Sequence, residues 1–592
     1  MPTVCCSPCP EGIKCPITQL TPPDNIDTFF NQTTTGCAVF KLGKCGKYFA
    51  NQKIKVCTTF IYSTSWKPCT TKKFAVTDKC GCFKVSIPAN VTDLRVQVKV
   101  FEQTCYSLVY AGAPCGFSPL SYLSGEDLNR FSMLRYVDIL AINTSGVDHE
   151  IPNVIPGGKP DQGGPHRASR AIAMALVAGF EAYNMIIQQY NNTYLSLAPA
   201  NQNASVEVAI IQAVVTVLMD LFPQQASVSV IPAQIHSLQT VLENALALIP
   251  ASSSKTSGIV AGIAAANSML LTRVTDRAGP PGFPEPQLAL STVLPVPYVS
   301  AGTWEEGTVA PAWRRDPVSM KTVALGAFWG ATGGVGVEPF VIPSADFFAV
   351  PTFPGLTDPL YNLSFNEVKS VGGTGAYPQT VRSEDDTVKG IFWGYDGTPT
   401  LCAPPRLYNQ IMNLIAIQEQ YGPVEYGRLI AQLNLALADA GISCWHYKYR
   451  YNIWRPVSAI RLASGNPNTQ PDPTWEPLGA PPSNTYNVPF TPPFPAYLSG
   501  HATFGGALFQ LLRSRFGDDV HFTFVSDEYN GITAFNGIAR PLIPRSYTSF
   551  SQAEEENGQS RIFIGVHFSP DKVEGIKLGN QVANYIINNT YT

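Results

Sequence analysis

The chain has 592 residues, 45% of them apolar and only 14% charged, with a formal net charge of −3. That balance excludes a protein defined by a broadly basic surface, as for nonspecific nucleic-acid binding. With 31 Phe, 25 Tyr and 8 Trp the chain also carries too much apolar surface to be disordered throughout. No run of 18 consecutive apolar residues occurs, so no membrane span is expected. Residues 1–30 lack the basic and apolar regions of an ordinary signal peptide.

Cysteine usage divides the sequence. Twelve of the 14 cysteines lie in the first 115 residues, and Cys402 and Cys444 are alone in the rest. A short segment this rich in cysteine reads as a disulfide scaffold, which implies oxidising surroundings. A zinc site would need four thiolates drawn from irregular spacings. Residues 1–36 form a Cys-rich tail, and residues 37–118 read as a small all-β sandwich. Within it Lys53–Tyr62 and Leu94–Val100 are predicted strands, and Phe74–Val76 and Cys82–Ile87 are predicted to pair as a hairpin. The stretch Thr77-Asp78-Lys79-Cys80-Gly81-Cys82-Phe83 resembles prealbumin-like carrier domains and the olive-pollen-allergen type. Val4-Cys5-Cys6-Ser7-Pro8-Cys9 resembles the N-terminal connectors of bacterial endospore appendage subunits, which crosslink neighbours.

Residues 119–165 read as a linker ending in a Gly/Pro-rich stretch. From 166 to 592 the apolar period becomes helical. Helices are predicted near 166–192, 205–221, 231–249, 256–275, 404–440, 443–462, 499–516 and 571–588. Residues 278–400 read as loop-rich.

Three segments carry the compact basic chemistry. In Lys448-Tyr449-Arg450-Tyr451-Asn452-Ile453-Trp454-Arg455-Pro456, a helix would put Lys448 and Arg455 on one face, and Pro456 would end or bend it. In Phe494-Pro495-Ala496-Tyr497-Leu498-Ser499-Gly500-His501, Ser499 caps the following helix, whose first N–H groups can face an anion. The third is Ser560-Arg561-Ile562-Phe563-Ile564-Gly565-Val566-His567-Phe568-Ser569-Pro570-Asp571. Three cations, two histidines and a helix N-terminus suit a tetrahedral oxyanion. Each motif alone is usually a solvated face, a cap or a structural pair.

In this order the motifs resemble the vanadium-dependent haloperoxidases and their relatives, the type-2 phosphatidic acid phosphatases. Leu498 departs from the usual Pro. The segments Phe392–Gly397, Pro404–Gln410 and Phe522–Glu528 resemble those of chloroperoxidase-type enzymes. The resemblance implies an all-α fold of two four-helix bundles with one vanadate per chain, oxidising halide with hydrogen peroxide and then halogenating small organic substrates. It implies His567 as the vanadate ligand, and Lys448, Arg455, Arg561, Ser499 and Gly500 around the oxygens. His501 is the acid–base residue, titrating near neutrality and paired with Asp396; Asp571 pairs with an arginine. Trp445 and Phe494 match haloperoxidase positions, and Phe494 leans toward the chloroperoxidase branch. His446, His149, His166, His236 and His521 are read as structural or surface residues, and Cys402 and Cys444 as buried thiols. The alternatives are a soluble phosphatase using a phosphohistidine at His567, and an extracellular or cell- or spore-surface assembly protein. The latter is a homo-oligomer linked through Cys5, Cys6 and Cys9.

Overall fold

A computed structural model describes the backbone of 36–44, 47–48, 53–62, 65–76, 82–87, 91–100 and 108–110. From 125 to 592 it describes all residues except 156–157, 228–236, 277, 279–309, 320–336, 376–379 and 463. The tail with Cys5, Cys6 and Cys9, and His236, lie outside the described residues. Contacts divide the chain into two units, residues 1–139 with 413–427, and residues 140–412 with 428–592.

In the first unit the strands are β1 (Gly36–Lys44), β2 (Lys47–Tyr48), β3 (Lys53–Tyr62), β4 (Ser65–Val76), β5 (Cys82–Ile87), β6 (Val91–Val100) and β7 (Leu108–Tyr110). They form two antiparallel sheets: β1 pairs with β2, β5 and β7, and β3 lies between β4 and β6. The expected hairpin of Phe74–Val76 with Cys82–Ile87 is corrected here. β4 pairs with β3 from Val76 opposite Lys53, whereas β5 pairs with β1 from Ile87 opposite Gly36. The five-residue connection 77–81 is longer than a two-residue hairpin turn and joins strands of different sheets.

The helices follow. They are α1 (Gly125–Asp148), α2 (Ile151–Val154), α3 (Pro165–Ile187), α4 (Val206–Leu221), α5 (Pro223–Ala226), α6 (Leu238–Ala247), α7 (Ser253–Arg273), α8 (Pro359–Val371), α9 (Glu384–Phe392), α10 (Pro404–Gln418), α11 (Pro423–Tyr451), α12 (Pro456–Arg461), α13 (Gly500–Phe516), α14 (Phe550–Phe563) and α15 (Ser569–Asn589). Two small ribbons, β8 (Phe522–Phe524) with β11 (Arg545–Tyr547) and β9 (Ala534–Phe535) with β10 (Ile538–Ala539), precede α14.

Several expectations change. The linker contains the 24-residue helix α1, whose buried Phe131, Leu134 and Val137 stripe is interrupted by buried Arg135 and Asp138. Helices α8 and α9 lie in the stretch read as loop. The boundary expected between 440 and 443 is absent, because α11 runs unbroken through Gly441 and the break falls between Gln418 and Pro423. Pro456 does not end α11; that helix stops at Tyr451, and Pro456 opens α12 with Arg455 as its cap residue. Lys448 and Arg455 therefore do not share a helix face.

In the second unit α3, α4 and α7 pack together, and α13 packs against α14 and α15. A Cβ on Gly506 of α13 would fall 2.5 Å from the Ile576 carbonyl of α15. That close approach puts the start of α15 beside the start of α13, where the Ser499 N–H donates to the Asp571 carbonyl at 3.0 Å. Helix α3 is long and apolar enough to cross a membrane, but 89% of its apolar window is buried inside the protein, as a core helix requires.

Candidate active site

Five elements converge on one buried cluster: the end of α11, the entry to α12, the start of α13, the end of α14 and the start of α15. Lys448, Arg455, Ser499, His501, Arg561, His567 and Asp571 are all buried. The sequence motifs are thus brought together as expected, with three changes in their pairing and charge.

Asp396 does not pair with His501. Its two oxygens take Nη1 and Nη2 of Arg561 at 3.0 and 2.6 Å. A bidentate guanidinium outcompetes a neutral imidazole for a buried carboxylate. The His501 Nε2 instead lies 2.6 Å from the Gly394 carbonyl. Asp571 does not pair with an arginine. It accepts from Nδ1 of His567 at 2.7 Å and from the Phe568 N–H at 3.1 Å. As the third residue of α15 it sits one turn after the ring it holds. Finally, His501 does not titrate near neutrality. Burial and then the Arg561 charge pull it down to about 3. Burial, Arg455 and Lys448 hold His567 well below the usual range as well.

Both rings are therefore neutral at ordinary pH. Because Nδ1 of His567 donates to Asp571, its Nε2 carries the lone pair, which accepts from Nη1 of Arg455 at 2.9 Å. Arg455 is fixed by the Phe494 carbonyl at Nε and the Val566 carbonyl at Nη1, each 2.9 Å away. Within this cluster two guanidinium nitrogens, Nη2 of Arg455 and Nε of Arg561, have no hydrogen-bond partner among the described residues. A buried unpartnered cationic N–H is costly unless an anion completes it. The Ser499 hydroxyl accepts from the Ala502 N–H at 3.4 Å, which leaves its own hydrogen to donate. Gly500 opens α13, so its N–H has no intrahelical acceptor.

Lys448 donates to the carbonyls of Pro495 and Ala496 at 3.1 and 3.0 Å, and to that of Leu498. Leu498 contributes its backbone here, so the missing proline does not remove the contact. The Phe494 ring lies 5.2 Å from the Lys448 ammonium and 5.0 Å from the Arg455 guanidinium, and stands 5.1 Å from the Trp445 ring. Among the described residues no group of three or more His, Cys, Asp and Glu could chelate a cation. The donor set is built for an anion.

Burial pulls Lys448 down to about 7 and pushes Asp571 up to about 7. An adjacent anion favours the protonated form of both. Above pH 7 its binding must therefore take up protons. Sulfate, whose charge is constant across this range, is expected to bind more weakly above pH 7 by up to about tenfold per pH unit for each of the two groups that must protonate. Calorimetric titration between pH 6 and 9 checks this, and Lys448→Met should flatten the slope.

Sequence reasoning missed one contributor, Glu528, whereas the packing role read for His166 holds. His166 of α3, read as a packing residue, stacks on Trp445 with centroids 4.9 Å apart. Glu528, in the 3-10 turn Asp527–Tyr529, is fully buried behind the Gly394–Asp396 loop. Its only signal was the resemblance of the segment Phe522–Glu528. Of the remaining residues, His446 is buried and burial pulls it to about 4, in keeping with a structural role. His149 is buried, and His521 is exposed. Cys402 and Cys444 are buried free thiols.

Residues 428–591 match the family model of the VCPO second helical-bundle domain. The chain is similar to the vanadium-dependent haloperoxidases. Vanadium chloroperoxidase of Curvularia inaequalis is 35% identical over 284 residues, which are 41% of this chain and 45% of that protein. The match thus spans less than half of the curated relative's length. A bacterial vanadium-dependent iodoperoxidase superposes with a TM-score of 0.56 at 21% identity, covering 76% of this chain and 95% of its own. The holo-type bacterial vanadium-dependent chloroperoxidase gives 0.50 at 17% identity, covering 75% and 95%. These structures share the fold. The family match includes every cluster residue except Asp396 and His166.

Proposed function

We propose that the chain is a vanadate-dependent haloperoxidase, with one vanadate per chain, that oxidises halide with hydrogen peroxide to hypohalous acid. One observation carries the reading: the lone pair of His567 Nε2 faces a buried cluster of three cations, in which Arg455 Nη2 and Arg561 Nε lack partners. These residues fit the group. His567 would hold the metal, Arg455 and Arg561 would complete their donors on its oxygens, and Ser499 and Gly500 would add hydrogen bonds. Bound vanadate supplies activation of hydrogen peroxide toward halide without changing its own oxidation state.

The protein's own part follows from the geometry. Asp571 keeps the proton on Nδ1 of His567 and so keeps Nε2 available. Lys448 contributes chiefly its charge, since its N–H groups are engaged with carbonyls; reaching an oxygen means releasing one of them. Neutral His501 takes a proton from the incoming peroxide, and the nearby cations stabilise charge that develops on oxygen. Trp445 and Phe494 wall the cluster with apolar surface, and Phe494 supports chloride among the halides used. The test is bromination and chlorination of a cyclic diketone with hydrogen peroxide, with and without vanadate. Turnover that is indifferent to vanadate would remove the reading.

Phosphate has the same shape as vanadate and meets the same donors. It is expected to compete, slowing vanadate reconstitution of the apo protein, with at most slow hydrolysis of phosphate esters. Reconstitution rates in a phosphate series measure this.

We further infer that the two sheets of the first unit form a Cys-rich sandwich, and that Cys5, Cys6 and Cys9 link neighbouring chains at an oxidising cell or spore surface. Adjacent cysteines rarely pair with each other, and a short tail can reach another subunit without straining a core. Non-reducing electrophoresis should show ladders for the full chain and monomer for a chain starting at Gly36.

A further inference from the structure

The histidine that would handle the peroxide proton faces the backbone carbonyls of Gly394 and Trp393, and the one in direct hydrogen-bond contact, Gly394's, belongs to a peptide gripped from its other side. His501 Nε2 meets the Gly394 oxygen at 2.6 Å. Across the same peptide bond, the Tyr395 N–H donates to Oε1 of Glu528 at 3.1 Å. The other oxygen of Glu528 accepts from Arg540 Nη1 at 2.6 Å and from the Ser483 hydroxyl at 2.5 Å. Ser483 in turn accepts from Arg540 at 2.9 Å, so its hydrogen is directed to the carboxylate. Burial pushes Glu528 up to about 7, against which Arg540, Ser483 and the Tyr395 N–H favour the ionised form, with both oxygens committed.

The loop needs such a grip. Tyr395 has φ +51°, a left-handed conformation that costs a non-glycine residue about 1–2 kcal/mol. The turn that carries Glu528 holds the loop at two further points. The Asp527 N–H donates to the Tyr395 hydroxyl at 2.6 Å, and the Ser526 hydroxyl donates to the Phe392 carbonyl at 2.5 Å. Gly394 leaves room for the carboxylate, since a Cβ there would lie 2.6 Å from Oε1.

A carbonyl oxygen only accepts, so its partner Nε2 must carry the hydrogen, and in the neutral ring the lone pair is then on Nδ1. We propose that Glu528 is the positioning residue of His501: by fixing the Gly394–Tyr395 peptide it holds the imidazole in the Nε2–H tautomer, with Nδ1 as the proton acceptor. This deepens the acid–base role given to His501 above and rests on it for its catalytic meaning. The tautomer itself is a property of the protein without vanadate.

A glutamine at 528 tests it. Its single oxygen would go to Arg540 and Ser483, leaving its NH2 against the Tyr395 N–H, donor on donor. The peptide would turn and release the ring. With ring-15N-labelled histidine the chain has seven imidazoles, few enough to assign His501 by comparison with His501→Gln. In the apo wild type the Nε2–H pattern is expected. In Glu528→Gln the tautomer ratio should fall about five- to tenfold, the worth of roughly one hydrogen bond. Adding Arg540→Met to that variant frees the glutamine oxygen to return to Tyr395 and should restore the wild-type pattern, which the mere loss of an ion pair would not do. An Nδ1–H pattern for His501 in the wild type overturns the proposal. So does an unchanged ratio in a folded Glu528→Gln, or a double variant no better than the single one. If Glu528→Gln does not fold, the wild-type pattern and the double variant decide. Absence of halogenation with an Nε2–H ring sensitive to residue 528 would count against the proposed function and leave the positioning intact.

Discussion

Replacing His567 by alanine is expected to reduce tightly held vanadium from one per chain to under about a tenth, and to bring vanadate-dependent halogenation to background. His567 Nε2 is the neutral nitrogen lone pair aimed into the cation cluster, and it is the atom through which the protein can bond the metal. Without it, a dissociable oxyanion remains held by charge and hydrogen bonds alone. Phosphate should therefore still bind the variant, within about tenfold of wild type, because each retained charged hydrogen bond contributes on the order of 1.5–3 kcal/mol. That split separates a missing bond from a collapsed site. Removing the ring also leaves Asp571 Oδ2 with only the Phe568 N–H as partner, so His567→Gln is a useful second variant. Dialysis followed by metal analysis, with phosphate calorimetry alongside, provides the measurement. Stoichiometric vanadium retained by a folded His567→Ala would show that another residue is the ligand.

The members of the cluster were legible in the sequence because they sit in short, ordered motifs whose residue types match an oxyanion. Their pairing was not. Spacing along the chain says which residues exist near a turn; it does not say which of two buried cations a carboxylate will face. Asp396 lies 165 residues before Arg561 and 105 before His501, and only the packed loop decides between them. Ionisation was equally hidden. A histidine reads as a near-neutral group until burial and a neighbouring guanidinium are known, and here they pull His501 to about 3. The Gly394 carbonyl has no side-chain signature at all.

The fold shows the same division. Apolar periodicity marks α4 and α7, whose buried residues are almost all apolar, and α3, whose central Ala171–Phe180 stretch is buried and apolar between polar ends. It fails for α14, which buries Glu554, Asn557, Ser560 and Arg561. That helix looks polar all round because one of its faces is spent on the site and on ion pairs. Gly441, at the boundary expected between 440 and 443, serves packing inside the unbroken α11; a Cβ there would lie 3.0 Å from the Phe504 ring and the Ser169 hydroxyl. Function, in effect, erases the pattern from which secondary structure is read.

The ion pair between Asp396 and Arg561 gives the second large expectation. The Arg561 side chain is 1% exposed and that of Asp396 5%. Removing one partner of such a pair leaves an uncompensated buried charge, at about 3–5 kcal/mol. Asp396→Asn is therefore expected to destabilise the apo protein by several kcal/mol. The same substitution leaves three cations facing one carboxylate, Asp571, in place of two, so it should bind oxyanions more tightly. The two effects are linked. An anion that binds only the folded state stabilises it by RT ln(1 + [L]/Kd), about 2.7 kcal/mol at a hundred times Kd. Saturating phosphate should thus recover much of the stability lost by Asp396→Asn, and add less to the wild type at the same concentration. Catalysis should not recover with stability. Arg561, no longer held bidentately, is free to turn toward the anion and away from its aligned position. Denaturant unfolding of both proteins with and without phosphate measures the first part, and halogenation at saturating vanadate the second. Equal stabilisation by phosphate in the two proteins would mean that Asp396 does not oppose the bound anion, and that its pairing with Arg561 is structural alone.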